Sequence, residues 1–439
     1  MTDRRIPQLF LTAAMVIFCA ATTYNQTPGT LDPAFGIGGV AITRPPLVTG
    51  PGLSSGAHDM VIQSDGKIVM VASAGDTPET FRAALVRYTA DGSLDASFGD
   101  GGFAYIAWTA PDPGTAGILA LQIVNGQEYI IVAGANAGGT SIRCERFTPS
   151  GALDTAFGTG GVTSVNTGGL ASSVGIQADQ KILLAGGAFP VARLNADGTP
   201  DAGYGPGGIS RTQSGIYIRS LYMMSNGQVL AVGDIDGKKL KGAATRDFAV
   251  ARFNASGTLD TTFGTSGKTV IDFTGKNDLG IGVAVDAAGR IVLCGEAQIA
   301  VAAISGYDAV LVRLSSIGKL DTTFGTGGKT SLNIGDRQDE FASISFQANG
   351  KIVASGEGRL AGNTADVLIA RYNPNGTLDT SFDSDGWTLK DFYGNYDYGT
   401  RGRVWVDPTC SCEKYLVSGG ASVTAGVSLY DIIALRYFL

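Results

Sequence analysis

The chain reads as an all-β protein: a seven-bladed β-propeller, four antiparallel strands per blade, with the N-terminal strand completing the last blade. Three observations predict this. One turn motif recurs seven times, a strand carrying an arginine precedes it at constant distance, and the two ends of the chain hold complementary parts of one repeat.

The turn motif appears as "GTLDPAFGIGG", "GSLDASFGDGG", "GALDTAFGTGG", "GTPDAGYGPGG", "GTLDTTFGTSG", "GKLDTTFGTGG" and "GTLDTSFDSDG". Its aspartates are Asp32, Asp95, Asp154, Asp201, Asp260, Asp321 and Asp379. A period of about 58 residues signals a solenoid, a propeller or an array, and seven such units fill residues 29–439. One copy, "FGTGGKT" at 324–330, imitates a phosphate-binding loop. The glycine required five residues before Gly328 is Thr323, and "KTSLNI" then alternates as a strand instead of opening a helix. "FGTSGKT" at 263–269 fails in the same way.

Each repeat holds four strand signals. In the fifth they are "GIGVAV", "IVLCG", "DAVLVRL" and, after the turn, "KTSLNI". Four antiparallel strands make one propeller blade. The chain opens with a turn and a fourth strand, "GTLDPAFGIGGVAIT", and ends on a third strand, "DIIALRYFL". The segment Val40–Thr43 is therefore expected to close the last blade as its outer strand, which removes exposed sheet edges.

Every third strand carries an arginine: Arg87, Arg146, Arg193, Arg252, Arg313, Arg371 and Arg436. In six repeats an aspartate of the turn follows eight residues later; Arg436 and Asp32 are left to pair across the closure. Seven bidentate Arg–Asp contacts are expected, each fixing a turn. This regular partner argues against the competing reading of those aspartates as calcium ligands. The turn phenylalanines, with Tyr204 once, are expected to plug the spaces between blades, and Lys268 and Lys329 to be solvated.

This pattern resembles the delta-60 repeat β-propeller family, whose repeat runs roughly G-x-LD-x-x-FG-x-GG, strand, D-G-K-I-strand-G, strand-R-Y. The resemblance covers the mature chain. Two repeats depart: only 47 residues separate Asp154 from Asp201, and "PTCSCEK" replaces the D-G-K turn in the seventh. The resemblance implies a secreted bacterial protein and supplies no catalytic residues.

Secretion also follows from residues 1–21, expected to be a signal peptide: Arg4 and Arg5 precede the apolar run "LFLTAAMVIFCAA", too short to span a bilayer comfortably. Residues 22–28 read as a short linker and 29–439 as a single propeller, with no other candidate membrane span and a monomer expected. A net charge of −7 without a basic block excludes a nucleic-acid role. Cys144 and Cys294 read as small buried apolar groups. Cys410 and Cys412 make a poor zinc site, and whether they form a disulfide stays open.

Function is expected where the repeats disagree. The arginine-to-aspartate turn is constant, whereas the span from the second strand to the arginine runs from 7 residues (Gly186 to Arg193) to 19 (Gly233 to Arg252). Binding residues favour variable loops on a rigid scaffold. The candidates on that face are Tyr393, Tyr396, Tyr398 and Arg401 as a group, His58 with Asp59, and Asp278, Asp339 and Glu340, which precede inner strands of neighbouring blades. The last three are the carboxylates expected to meet if a metal sat over the channel. A single histidine excludes a histidine-cluster metal site. "DIDGKKLKG" at 234–242 starts like a calcium loop but has Thr245 at the twelfth position. The resulting expectation is a binding or scaffolding module for a protein, glycan or surface polymer, with no cofactor unless calcium. Two other readings stay open: a propeller hydrolase, lactonase or lyase with a metal at the channel mouth, and a purely structural surface protein.

Overall fold

A computed structural model of the chain describes residues 26–44, 53–75, 82–109, 117–135, 139–186, 190–211, 215–240, 243–299, 306–335, 338–360, 364–423 and 430–439. The expected signal peptide and most of the linker lie outside them. The strands form seven four-stranded antiparallel sheets. In blade 1 they are Leu53–Ile62, Ile68–Gly75, Arg82–Tyr88 and Phe103–Thr109, innermost to outermost. Blades 2 to 6 repeat that order. Blade 7 consists of Asp397–Asp407, Cys412–Ser422, Tyr430–Phe438 and, outermost, Val40–Thr43. Val40 stands opposite Leu435 and Thr43 opposite Ile432, so the ring closes as the sequence predicts.

Burial explains the strand compositions. In blade 5 every residue of Ile291–Ala297 and of Asp308–Leu314 is buried, because adjoining blades cover both faces of these strands. The innermost strand, Asp278–Val285, alternates buried and half-buried positions, since successive side chains point to opposite faces. The core lies between blades. Val292, Leu311 and Phe324 of blade 5 pack with Ile344, Ala354 and Leu368 of blade 6. Each such side chain contributes roughly 1.5–3 kcal/mol on burial, so a blade is stabilised chiefly by its neighbours.

All seven Arg–Asp pairs form, with Nε–Oδ2 distances of 2.6–2.8 Å, including Arg436–Asp32 across the closure. The contact differs from the bidentate fork expected. Only Nε reaches the aspartate, while Nη1 donates to a backbone carbonyl in the next blade's turn: Arg87 to Pro149 (2.5 Å), Arg252 to Ser316 (2.6 Å), Arg436 to Ala90 (2.7 Å). Six of the seven arginines therefore fix their own turn and tie two blades together, while Arg371 adds a bond to Ser381 of its own turn (2.9 Å). The second carboxylate oxygen accepts a local backbone N–H, as Asp321 does from Thr323 at 3.1 Å. Lys181 and Lys351, from the turns between first and second strands, and Lys414, near the start of blade 7's second strand, add a further donor to Asp201, Asp379 and Asp32.

The turn aromatics are inter-blade plugs. The guanidinium carbon of Arg313 lies 4.7 Å from the centre of the Phe324 ring, and that ring abuts Gly376 of the next blade. A Cβ at Gly376, where φ is +88°, would stand 2.9 Å from the ring, so only glycine suits the position. Lys329 departs from the expected solvation. It is half-buried, donates to the Asp272 carbonyl at 2.6 Å and lies 4.6 Å from the Phe273 ring centre. Lys268 is half-buried too. Cys144 and Cys294 are buried free thiols, and Cys410 and Cys412 are joined as a disulfide.

Candidate functional site

The seven innermost strands surround a central cavity of about 340 Å³ whose polar lining includes Asp59, Ser173, Ser220, Ser343, Arg401 and Arg403. Asp59 is fully committed. Its Oδ2 accepts the Leu119 N–H (2.9 Å), and its Oδ1 accepts the Met60 N–H (2.8 Å) and Arg401 Nε (2.8 Å). This ion pair joins blades 7 and 1 across the inner ring. His58 is half-buried beside it, and burial pushes its pKa down to about 4 against the pull of Asp59. It is neutral at physiological pH and too weak a base for proton abstraction there.

The channel mouth on the variable face is acidic. In three consecutive blades the second strand carries a glycine followed by an acid: Gly233–Asp234, Gly295–Glu296 and Gly356–Glu357. Glu340 stands opposite Glu357 in the ladder. Asp234 is neutralised by Arg219 (2.7 Å) and Arg246 (2.5 Å). Glu296 accepts from Gln338 Nε2 (3.1 Å). Glu357 accepts from the Tyr396 hydroxyl and lies 3.6 Å from Arg359. Burial, then the charges of Glu296 and Glu357, push the Glu340 carboxyl up to about 8. Burial raises Glu296 and Glu357 as well. These three carboxyls crowd each other in a partly dehydrated setting, so a donor or cation entering the mouth is favoured.

Aromatic rings flank these acids. Tyr398 lies 6.0 Å from Tyr396 and 5.6 Å from Tyr430, centre to centre, and the Arg359 guanidinium covers Tyr396 at 5.4 Å. The group expected from the sequence therefore divides. Tyr396 and Tyr398 share the mouth with Tyr430. Tyr393, 54% exposed, turns away to Asp431 (3.3 Å), and Arg401 belongs to the channel.

Asp278, Asp339 and Glu340 do not converge. Asp278 Oδ2 accepts the Phe273 N–H (2.9 Å); Asp339 accepts Ile334 N–H (2.8 Å) and Arg359 N–H (2.9 Å). Each aspartate thus braces the loop that enters its own blade. Among the described residues, the groups of three carboxylates close enough to share an ion are Asp247, Asp272 and Asp278, and Asp366, Asp391 and Asp397. The segment that starts like a calcium loop is part of a second strand, Val229–Leu240.

Glu296 and Glu357 escape a reading by motif, although the sequence carries a signal for them: the acid after glycine in "AVGD", "LCGE" and "ASGE". A second overlooked repeat is an aspartate five residues before the arginine in four consecutive units, at Asp247, Asp308, Asp366 and Asp431.

A family model described as a domain of unknown function (DUF5122) β-propeller matches residues 63–98, 177–204, 225–263 and 347–382. Each stretch runs from the turn after a first strand to the aromatic of the Arg–Asp turn, and together they support a β-propeller repeat family. No curated protein matches the sequence. Solved structures with similar folds are distant. One is the extracellular domain of a B. thetaiotaomicron protein described as a one-component system: 11% identity, TM-score 0.42, covering 89% of this chain and 39% of that one. The chain thus spans well under half of that structure's length. A Bacteroides caccae protein of unknown function shares 12% identity at TM-score 0.35, over 63% of this chain and 86% of its own. A Bifidobacterium bifidum protein described as an exo-β-1,3-galactanase shares 13% at TM-score 0.33, over 79% and 89%. These likenesses are too remote to say what this chain binds.

Proposed function

We propose that this chain is a secreted bacterial binding module that takes its ligand at the channel mouth of the variable face. The observation that carries this reading is the joining of three crowded carboxyls, Glu296, Glu340 and Glu357, to a cluster of tyrosines at one opening. Such a surface suits a ligand rich in hydroxyl or amino donors, as a glycan or a basic peptide segment is. Tyrosine rings offer apolar faces with a polar edge, and the carboxyls accept the ligand's hydrogen bonds. The Cys410–Cys412 disulfide fits an oxidising compartment, and among the described residues no helix is long and apolar enough to cross a membrane.

Screening the full chain against immobilised glycans and lysine-rich peptides tests the proposal. A retained ligand should be lost, at least about tenfold in affinity, in E357A and E296A while folding is preserved. That factor corresponds to roughly 1.4 kcal/mol, an ordinary figure for a charged hydrogen bond. A ligand retained equally by both variants would place binding elsewhere.

A further inference from the structure

We infer that a calcium-sized divalent cation binds between blades 4 and 5, held by Asp247, Asp272 and Asp278. Asp247 lies in the third strand of blade 4, Asp272 directly follows that blade's outer strand, and Asp278 opens the first strand of blade 5. One oxygen from each lies within 4.8 Å of the others. Two oxygens on opposite sides of a calcium ion at about 2.4 Å stand about 4.8 Å apart, so these separations lie within the reach of such an ion. The donor set is oxygen only, as a hard cation prefers.

An independent observation points to the ligand. Asp278 is 0% exposed, and only its Oδ2 is engaged, by the Phe273 N–H. Its Oδ1 is buried without a hydrogen-bond partner, on the carboxyl that meets the other two. Burying an anionic oxygen unpaired is costly, and a bound cation removes that cost. Lys329 is one nearby cation, and its ammonium group donates to the Asp272 backbone carbonyl.

The ring contains its own comparisons. The position of Asp272 is taken by Asn333 at the next junction and by Arg44 at the closure. Asn333 donates to Asp308 (2.9 Å), and Arg44 pairs with Asp431 (2.9 Å). At those junctions a polar or cationic side chain stands beside the equivalent aspartate; between blades 4 and 5 a third carboxylate stands there instead. The junction of blades 6 and 7 also has three aspartates, but both oxygens of Asp397 accept backbone N–H groups, from Phe392 and Ser422. The ion would thus clamp two blades on the variable face, as the arginines do on the opposite one.

The test uses the full chain stripped of metal with a chelator and titrated with calcium chloride, following heat of binding and thermal unfolding. Wild type should take up calcium and gain roughly 3–5 °C in Tm at saturating metal. D272N should lose one equivalent and most of the gain; this variant copies the residue the chain itself uses at position 333. D278N should do the same, and D391N should retain both. Failure of wild type to bind calcium overturns the inference, as does uptake unchanged in D272N and D278N or abolished only in D391N. A larger Tm gain with magnesium than with calcium would contradict the ion size assigned.

Discussion

The two faces of the propeller treat acidic residues in opposite ways. On the constant face each turn aspartate meets an arginine and a backbone N–H, and in Asp32, Asp95, Asp201, Asp260, Asp321 and Asp379 the charged form is favoured. Asp379 is the extreme case. Burial alone would push its carboxyl up, but donors from Lys351 and Ser381 and the charge of Arg371 outweigh this and bring it down to about 2. On the variable face Asp234 is paired with two arginines, but Glu296, Glu340 and Glu357 stand together with few donors. Glu340 rises to about 8, and Glu296 and Glu357 rise too. One face spends its acids on holding the ring together; the other holds acids in a state that an incoming ligand would relieve. Stability is sacrificed where binding is proposed, which is a common location for strained electrostatics.

Perturbing the constant face should produce the largest effects. Deleting residues 29–44 removes the outer strand of blade 7 and the partner of Arg436 together. The expected outcome is loss of soluble, cooperatively unfolding protein, read by expression and calorimetry. Arg371→Ala is next. It leaves Asp379 buried without its main counter-charge and should cost about 3 kcal/mol in denaturant unfolding. Arg371→Lys should recover only part of this, because an ammonium group cannot reproduce the guanidinium's spread of directed donors.

The acid limb of the stability curve sharpens the same comparison. A carboxyl whose folded pKa lies below its unfolded value stabilises the protein above about pH 4 and stops doing so as pH falls towards its folded value. The lowered aspartates Asp32, Asp95, Asp201, Asp260, Asp321 and Asp379 should therefore give cooperative acid unfolding between about pH 4 and pH 2. Lys351→Met should have the smallest effect, on the order of 0.5–1 kcal/mol near neutrality, because the lysine is partly exposed and Arg371 remains.

The two faces also differ in how far the sequence reveals them. The constant face repeats, so seven copies of one turn disclosed the blades, the arginine partners and the closure through Val40–Thr43. What the repeats could not disclose was the direction of the second guanidinium arm. Nη1 of Arg87 reaches Pro149, 62 residues away, and only the ring's geometry brings them together. The mouth was legible in part. Tyr396 and Tyr398 of the grouped tyrosines are neighbours there, but Glu340, grouped by the sequence with Asp278 and Asp339, stands with them instead, and Tyr393 and Arg401, close by in sequence, point elsewhere. Glu296 and Glu357 sit on strands that read as plain core, since a carboxyl at a strand end has the same apolar residues before it whether it faces a channel or solvent.

The comparison rests most directly on the pH dependence of unfolding, measured with chelator present for wild type and E340Q. A carboxyl whose folded pKa is raised costs stability as pH climbs from its unfolded value towards its folded one. Wild type should lose stability between about pH 5 and pH 8, and E340Q should lose less, so that the variant gains at least about 1 kcal/mol over wild type at pH 9 relative to pH 5. Parallel curves for the two proteins across that range would contradict the account of a mouth held in electrostatic tension.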